Sequence, residues 1–139
     1  MKVLIASDHA GFGLKEELKS AFPYEWIDCG PETADSVDYP DFAHKLAEAL
    51  LSGQAERGVL ICGSGIGISI AANRHNGVRA ALCTSVEMAK LSREHNNANV
   101  IVFGERIIDW DVAKQALKMF MDTEFEGGRH ERRVDKIDI

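Results

Sequence analysis

Cys62 stands where a short apolar run, residues 59–61, gives way to a loop with glycine at 63, 65 and 67. Beyond the loop the residues turn small and apolar again, with Ile68, Ile70, Ala71 and Ala72 suited to a closely packed helix. Strand, glycine loop and helix in that order aim backbone N–H groups at an anion. The field of a helix N-terminus also favours a thiolate, the reactive form of cysteine. The segment thus combines an oxyanion or phosphate cradle with a nucleophile or base. Plainer readings exist: Cys62 as a buried cysteine ending a strand, like Cys29 and Cys83, and Ser64 as a turn or cap residue. Packing alone explains the glycines poorly, because each costs roughly 0.5–1 kcal/mol to order.

Several familiar chemistries do not fit this loop. A dinucleotide fingerprint, G-x-G-x-x-G, needs glycine where Ile68 stands, and Cys83 occupies the end of the fourth strand, where an acidic ribose contact belongs. A cysteine-dependent phosphatase loop would carry arginine at that same position 68. No lysine lies in the loop, which excludes an NTPase P-loop.

Other polar groups have two readings each. Asp8-His9, after the first strand, is either a helix cap with a polar neighbour or an acid–base or sugar-binding pair. His-Asn-Asn-Ala-Asn at 95–99 either makes turns or donates to sugar hydroxyls. His44, on a helix flank, and His75, beside a turn, read as surface residues. Arg106, Arg129 and Arg133 are solvated charges or anion clamps; the last two follow a Gly127-Gly128 hinge.

The elements that must position these groups are legible. At 139 residues, with 45% apolar and 27% charged residues, the chain suits one domain, 1–139, with residues 124–139 as a charged C-terminal arm. A net charge of −6 argues against a nucleic-acid partner. No apolar run has membrane-span length, and the N-terminus turns polar too soon for a signal peptide. The 3 cysteines, without CxxC spacing, argue against a disulfide framework and a zinc site. The expected compartment is the cytoplasm.

Strands are predicted over 2–7, 25–29, 59–61, 78–83 and 99–103. Helices are predicted over 11–22, 41–51, after the glycine loop, and over 85–93 and 109–121, with Ser85 and Asp109 as caps. Five strands alternating with helices give an α/β fold, a doubly wound, Rossmann-like three-layer sandwich with a five-stranded parallel sheet. In the order 2-1-3-4-5, strands one and three adjoin at the switch point and bring Asp8-His9 against the Cys62 loop.

Six segments in order resemble the type B ribose-5-phosphate isomerases and the related galactose-6-phosphate isomerase subunits. They are Ser-Asp-His-Ala-Gly at 7–11, Asp-Tyr-Pro at 38–40, Cys-Gly-Ser-Gly-Ile-Gly at 62–67, Ala-Asn-Arg at 72–74, His-Asn-Asn-Ala-Asn at 95–99 and Gly-Gly-Arg-His-x-x-Arg-Val at 127–134. The resemblance implies interconversion of ribose 5-phosphate and ribulose 5-phosphate with no cofactor and no metal. It makes Cys62 the proton-abstracting base and His95 the assistant in ring opening. Ser64 stands where other members carry threonine and keeps the hydroxyl of the catalytic loop. Asp8, His9 and Tyr39 become substrate contacts, and Gly63, Ser64, Gly65, Ile66 and Gly67 the enediolate cradle. Asn96, Arg106, Arg129 and Arg133 become ligand and phosphate contacts. The partners implied are a small phosphorylated sugar and a second copy of the chain, as a homodimer or a tetramer with shared sites. A hexose-6-phosphate isomerase, of allose or galactose type, and a non-catalytic sugar-phosphate-binding module are the alternatives.

Overall fold

The computed structural model describes residues 1–139. Its strands are β1 (Lys2–Ser7), β2 (Glu25–Asp28), β3 (Arg57–Cys62), β4 (Ala80–Leu82) and β5 (Val100–Gly104). Its helices are α1 (Phe12–Ala21), α2 (Tyr39–Leu51), α3 (Ile66–Ala72), α4 (Val86–Glu94), α5 (Trp110–Asp122) and α6 (Arg129–Val134), with a 3₁₀ turn at His9–Gly11. All strand pairs are parallel, and the sheet order is β2-β1-β3-β5-β4.

That order corrects the expected 2-1-3-4-5: the last two strands are exchanged. Burial gives the reason. Val100, Ile101, Val102 and Phe103 are fully buried, whereas Ala80, Ala81 and Leu82 are only half-buried. The more apolar strand takes the inner place, where both faces are covered. β4 is also shorter than predicted, and Asn73 closes its outer side, its amide donating to the Ala80 carbonyl and accepting from the Ala80 N–H. Strands one and three do adjoin, with Ser7 opposite Ile61.

Alternate residues of each strand face opposite layers. Val3, Ile5, Val59, Ile61, Ile101 and Phe103 pack with α1, α4 and α5. Leu4, Ala6, Leu60, Cys62, Val100 and Val102 pack with α2 and α3. Each large apolar side chain so buried contributes about 1.5–3 kcal/mol. Ser85 accepts from Met88 N–H and Asp109 from the N–H groups of Asp111 and Val112, the expected caps. α2 starts at Tyr39, two residues before the predicted start at 41, because Pro40 fits a first turn where no N–H is needed.

Two further expectations need correction. Lys15 reads as a polar-face residue of α1, yet it is fully buried. Its Nζ donates to both Asp28 carboxylate oxygens at 2.9 Å and to the Pro31 carbonyl, tying the loop after β2 to α1. His44 and His75 are half-buried, not surface residues, because His44 Nδ1 lies 2.7 Å from His75 Nε2. The arm carries α6, and its end is held by Asn76 Nδ2 donating to the Ile139 carbonyl and Gly77 N–H donating to Asp138.

Candidate active site

The carboxyl ends of β1, β3 and β5 meet in an open cleft of about 480 Å³, whose walls include Asp8, His9, Tyr39, Cys62, Gly63, Ser64, Ile66, Gly67 and Arg106. Cys62 ends β3 and is 5% exposed. The Gly65 N–H donates to its Sγ at 3.2 Å, so the loop curls over the sulfur. Gly65 can do this because its φ is +80°, the left-handed region, and because a Cβ there would sit 2.5 Å from Leu82 Cδ1. Ser64 Oγ accepts from the Ile66 N–H at 3.2 Å, a turn contact just before α3, whose N-cap is Gly65.

β5 fixes the loop from below. The Glu105 N–H donates to the Cys62 carbonyl at 2.9 Å and the Arg106 N–H to the Gly63 carbonyl at 3.0 Å. The Glu105 side chain also accepts from the Leu14 N–H at 2.6 Å, binding the start of α1 to the same corner. Gly104 lets the two segments touch, since a Cβ there would lie 2.4 Å from Ser64 backbone atoms. Gly104 and Glu105 escaped the sequence reading. The only signal was a Gly-Glu pair between an apolar strand and Arg106.

Asp8 is 7% exposed, and its Oδ1 accepts from the Gly11 N–H at 3.0 Å, so the capping role is realised inside the cleft. His9 Nδ1 lies 3.2 Å from both the N–H and the carbonyl of Val37, fastening the loop before α2 beside the site. Tyr39 opens α2 against Gly67, where a Cβ would approach its ring to 2.6 Å. Arg106 lies over Gly63, its Nη1 3.2 Å from the position of a Cβ there.

The remaining predicted residues lie elsewhere in the chain. His95 caps the C-terminus of α4, and its side chain is 41% exposed. Asn96 lines clefts beside the β4 edge. Arg129 and Arg133 are exposed on α6. None of these four lines the Cys62 cleft of its own chain. All three cysteines are free thiols. Burial pushes the Cys83 thiol up to about 11 and raises that of Cys29. Neither lines the cleft that Cys62 enters. No helix is long and apolar enough to cross a membrane.

Backbone N–H groups, a thiol and a guanidinium gathered in one cleft can serve proton transfer next to a carbonyl. Known proteins agree. The ribose/galactose isomerase family model matches residues 3–137. The chain is 41% identical to ribose-5-phosphate isomerase B of Escherichia coli, over 98% of this chain and 93% of that one. It is 37% identical to D-erythrulose-4-phosphate isomerase of Pectobacterium atrosepticum, over 99% and 93%. The crystal structure of a ribose 5-phosphate isomerase from Thermotoga maritima superposes with a TM-score of 0.97 at 50% identity, covering 99% of this chain and 97% of that one. A likeness that runs the whole length in both sequence and fold makes the assignment plain: the chain belongs to the ribose/galactose isomerase family and is an aldose–ketose isomerase.

Proposed function

We propose that the enzyme interconverts D-ribose 5-phosphate and D-ribulose 5-phosphate through an enediolate, with Cys62 as base and without a cofactor. The observation that carries this reading is the Gly65 N–H 3.2 Å from Cys62 Sγ at the mouth of the cleft. It puts the sulfur and the loop's N–H donors around one small volume.

With the open-chain aldose bound, the Cys62 thiolate takes the proton from C2. The C2–H electron pair forms the C1–C2 double bond, and negative charge develops on O1. N–H groups of the loop from Gly63 to Gly67, together with Ser64, hold that charge, the role preorganised donors fill best. The thiol returns a proton to C1, and the O2 hydroxyl proton moves to O1, leaving the ketone at C2. Asp8 and His9 hold sugar hydroxyls. Arg106 contributes positive charge at the cleft wall.

His95 assists opening of the sugar ring, and Arg129 and Arg133 take the phosphate, so that remote binding energy orients the reacting carbons. Their distance from the Cys62 cleft of the same chain supports a homodimer in which a second copy supplies His95, Asn96, Arg129 and Arg133. Ile66 and Ile70 on α3, beside the cleft, are 55% and 60% exposed and offer an apolar face for that copy.

The Pectobacterium relative carries the name of a tetrose-phosphate isomerase, which makes chain length the open variable within this chemistry. Initial rates with tetrose, pentose and hexose phosphates in the presence of a chelator test the assignment. The highest kcat/KM is expected with ribose 5-phosphate. A hexose 6-phosphate or tetrose 4-phosphate turned over faster would replace the substrate and keep the mechanism. Binding without turnover of any of them would leave a sugar-phosphate-binding module.

A further inference from the structure

A second cluster of chemically capable side chains lies at the end of α4. His95 is fixed there by its own N–H donating to the Leu91 carbonyl at 2.9 Å. The Glu126 N–H donates to the Glu94 carbonyl at 3.1 Å, which brings the carboxylate to the same helix end. Gly127 and Gly128, at φ +67° and +58°, then reverse the chain. The reversal lays the His130 ring parallel to that of His95, with centroids 4.4 Å apart and planes 12° from coplanar. Glu126 Oε1 is 3.4 Å from His130 Nε2 and 3.8 Å from His95 Nε2, and the three donor atoms all lie within 4.8 Å of one another.

We propose that His95, Glu126 and His130 form a binding site for one divalent transition-metal ion of the zinc class. The separations exceed the ~2.7–3.2 Å of a good N–H···O hydrogen bond. Two ligands each ~2.0–2.1 Å from a tetrahedral ion stand about 3.3 Å apart, near the 3.4 and 3.8 Å between the Glu126 oxygen and the two imidazoles. Two imidazole nitrogens and one carboxylate oxygen are a recognised zinc donor set that leaves a fourth position for water or another ligand. The carbonyl end of α4 carries partial negative charge and favours a cation at that place. All three donors hang on hydrogen-bonded backbone, so binding needs only side-chain rotation, in which the stacked imidazoles tilt to aim their in-plane lone pairs at the ion. Glu126, 49% exposed, and His95, 41% exposed, leave the site open to ions from solution.

The cysteine pattern that argues against a zinc site in the sequence is silent here, because the donors come from two separated segments. Function follows by one further step, which rests on the proposed role of His95. An ion held by His95 withdraws that imidazole from ring opening, so the metal acts as an inhibitor and is not required for turnover.

Isothermal titration of the whole protein with Zn²⁺ tests the site without reference to activity. The expected result is one ion per chain. Affinity should fall at least tenfold in His130→Ala and in Glu126→Gln, and stay unchanged in His75→Ala, which removes the other close histidine pair. Titration with Co²⁺ should give d–d bands with no thiolate-to-cobalt charge-transfer band. No saturable binding, an affinity unmoved by His130→Ala, or a thiolate band pointing to cysteine would overturn the proposal. In rate assays Zn²⁺ should inhibit the parent and inhibit His130→Ala far less. Stoichiometric binding to the His95 cluster without inhibition would confirm the site and remove His95 from the reaction.

Discussion

Gly65→Ala separates the two tasks of the loop, which must fold and must hold a donor on the sulfur. At φ +80° an alanine costs about 1–2 kcal/mol. Its Cβ would also lie 2.5 Å from Leu82 Cδ1, 3.0 Å from the Phe103 carbonyl carbon and 3.1 Å from the Gly104 nitrogen. Leu82 can shift, but Phe103 and Gly104 are held in register against Ile61 and Cys62. Overpacking of this kind adds about 1–3 kcal/mol, for a total of about 2–5 kcal/mol. Against a typical stability of about 5–15 kcal/mol the protein still folds, with its Tm lowered by roughly 10 °C. Because β5 cannot yield, the loop moves and carries the Gly65 N–H off Cys62 Sγ. The same shift takes loop N–H groups off the developing enediolate, and loss of one oxyanion donor lowers kcat by about 10²–10³. Gly67→Ala is the control with the opposite sign on stability. Its neighbour is the ring of Tyr39, which is 40% exposed and free to swing, and alanine gains about 0.5–1 kcal/mol over glycine in a helix. Its Tm should hold or rise while activity drops, because the displaced ring lines the cleft. Thermal unfolding by circular dichroism and initial rates in the presence of a chelator measure both quantities. Parental Tm and kcat in Gly65→Ala, or equal loss of stability in the two variants, would refute the reasoning.

Arg133→Ala should raise KM for the sugar phosphate more than tenfold, as expected for about 1.5–3 kcal/mol of charge-assisted contact, while a change confined to kcat would remove it from phosphate binding. Mixing inactive Cys62→Ser with inactive His95→Ala chains should restore activity if each site draws the two residues from different subunits; no recovery after verified subunit exchange would count against sharing. Burial alone would raise the Asp28 carboxyl, but hydrogen bonds from Lys19, Lys15 and the Gly30 N–H outweigh it and hold the group below its usual range. A carboxyl lowered in the folded state contributes stability above its unfolded value of about 4 and loses it as pH falls through the folded value. Stability followed by urea unfolding should therefore drop below about pH 4 in the parent and drop less steeply there in Asp28→Asn.

The central strands were legible because β1, β3 and β5 are buried on both faces and so run apolar without interruption. The order of the last two was not. Right-handed crossovers permit either arrangement, and only the weaker apolar character of Ala80-Ala81-Leu82 beside Val100-Ile101-Val102-Phe103 distinguishes an edge strand from an inner one. The Cys62 loop was readable from three local glycines, and its apposition to Asp8 followed from topology. Gly104 and Glu105 were not readable, since their value lies in contacts with Ser64 and Leu14 that are distant in sequence. Lys15 looked like one more polar-face residue. Its burial depends on Asp28 and the Pro31 carbonyl lying within reach, which helical periodicity does not encode. The His44–His75 pair and the His95–Glu126–His130 cluster are hidden for the same reason. Each unites side chains whose segments meet only after folding.

The most direct test of the central claim is isomerisation of ribose 5-phosphate in deuterium oxide with a chelator present, followed by NMR. The parent should form ribulose 5-phosphate carrying solvent deuterium at C1. Cys62→Ser should bind the sugar phosphate within about tenfold of the parent yet show almost no turnover and no exchange, because a hydroxyl of similar size is a poor base. Exchange and turnover at the parental rate in Cys62→Ser would contradict the account and pass the role of base to Asp8, the other buried acid–base group in the cleft.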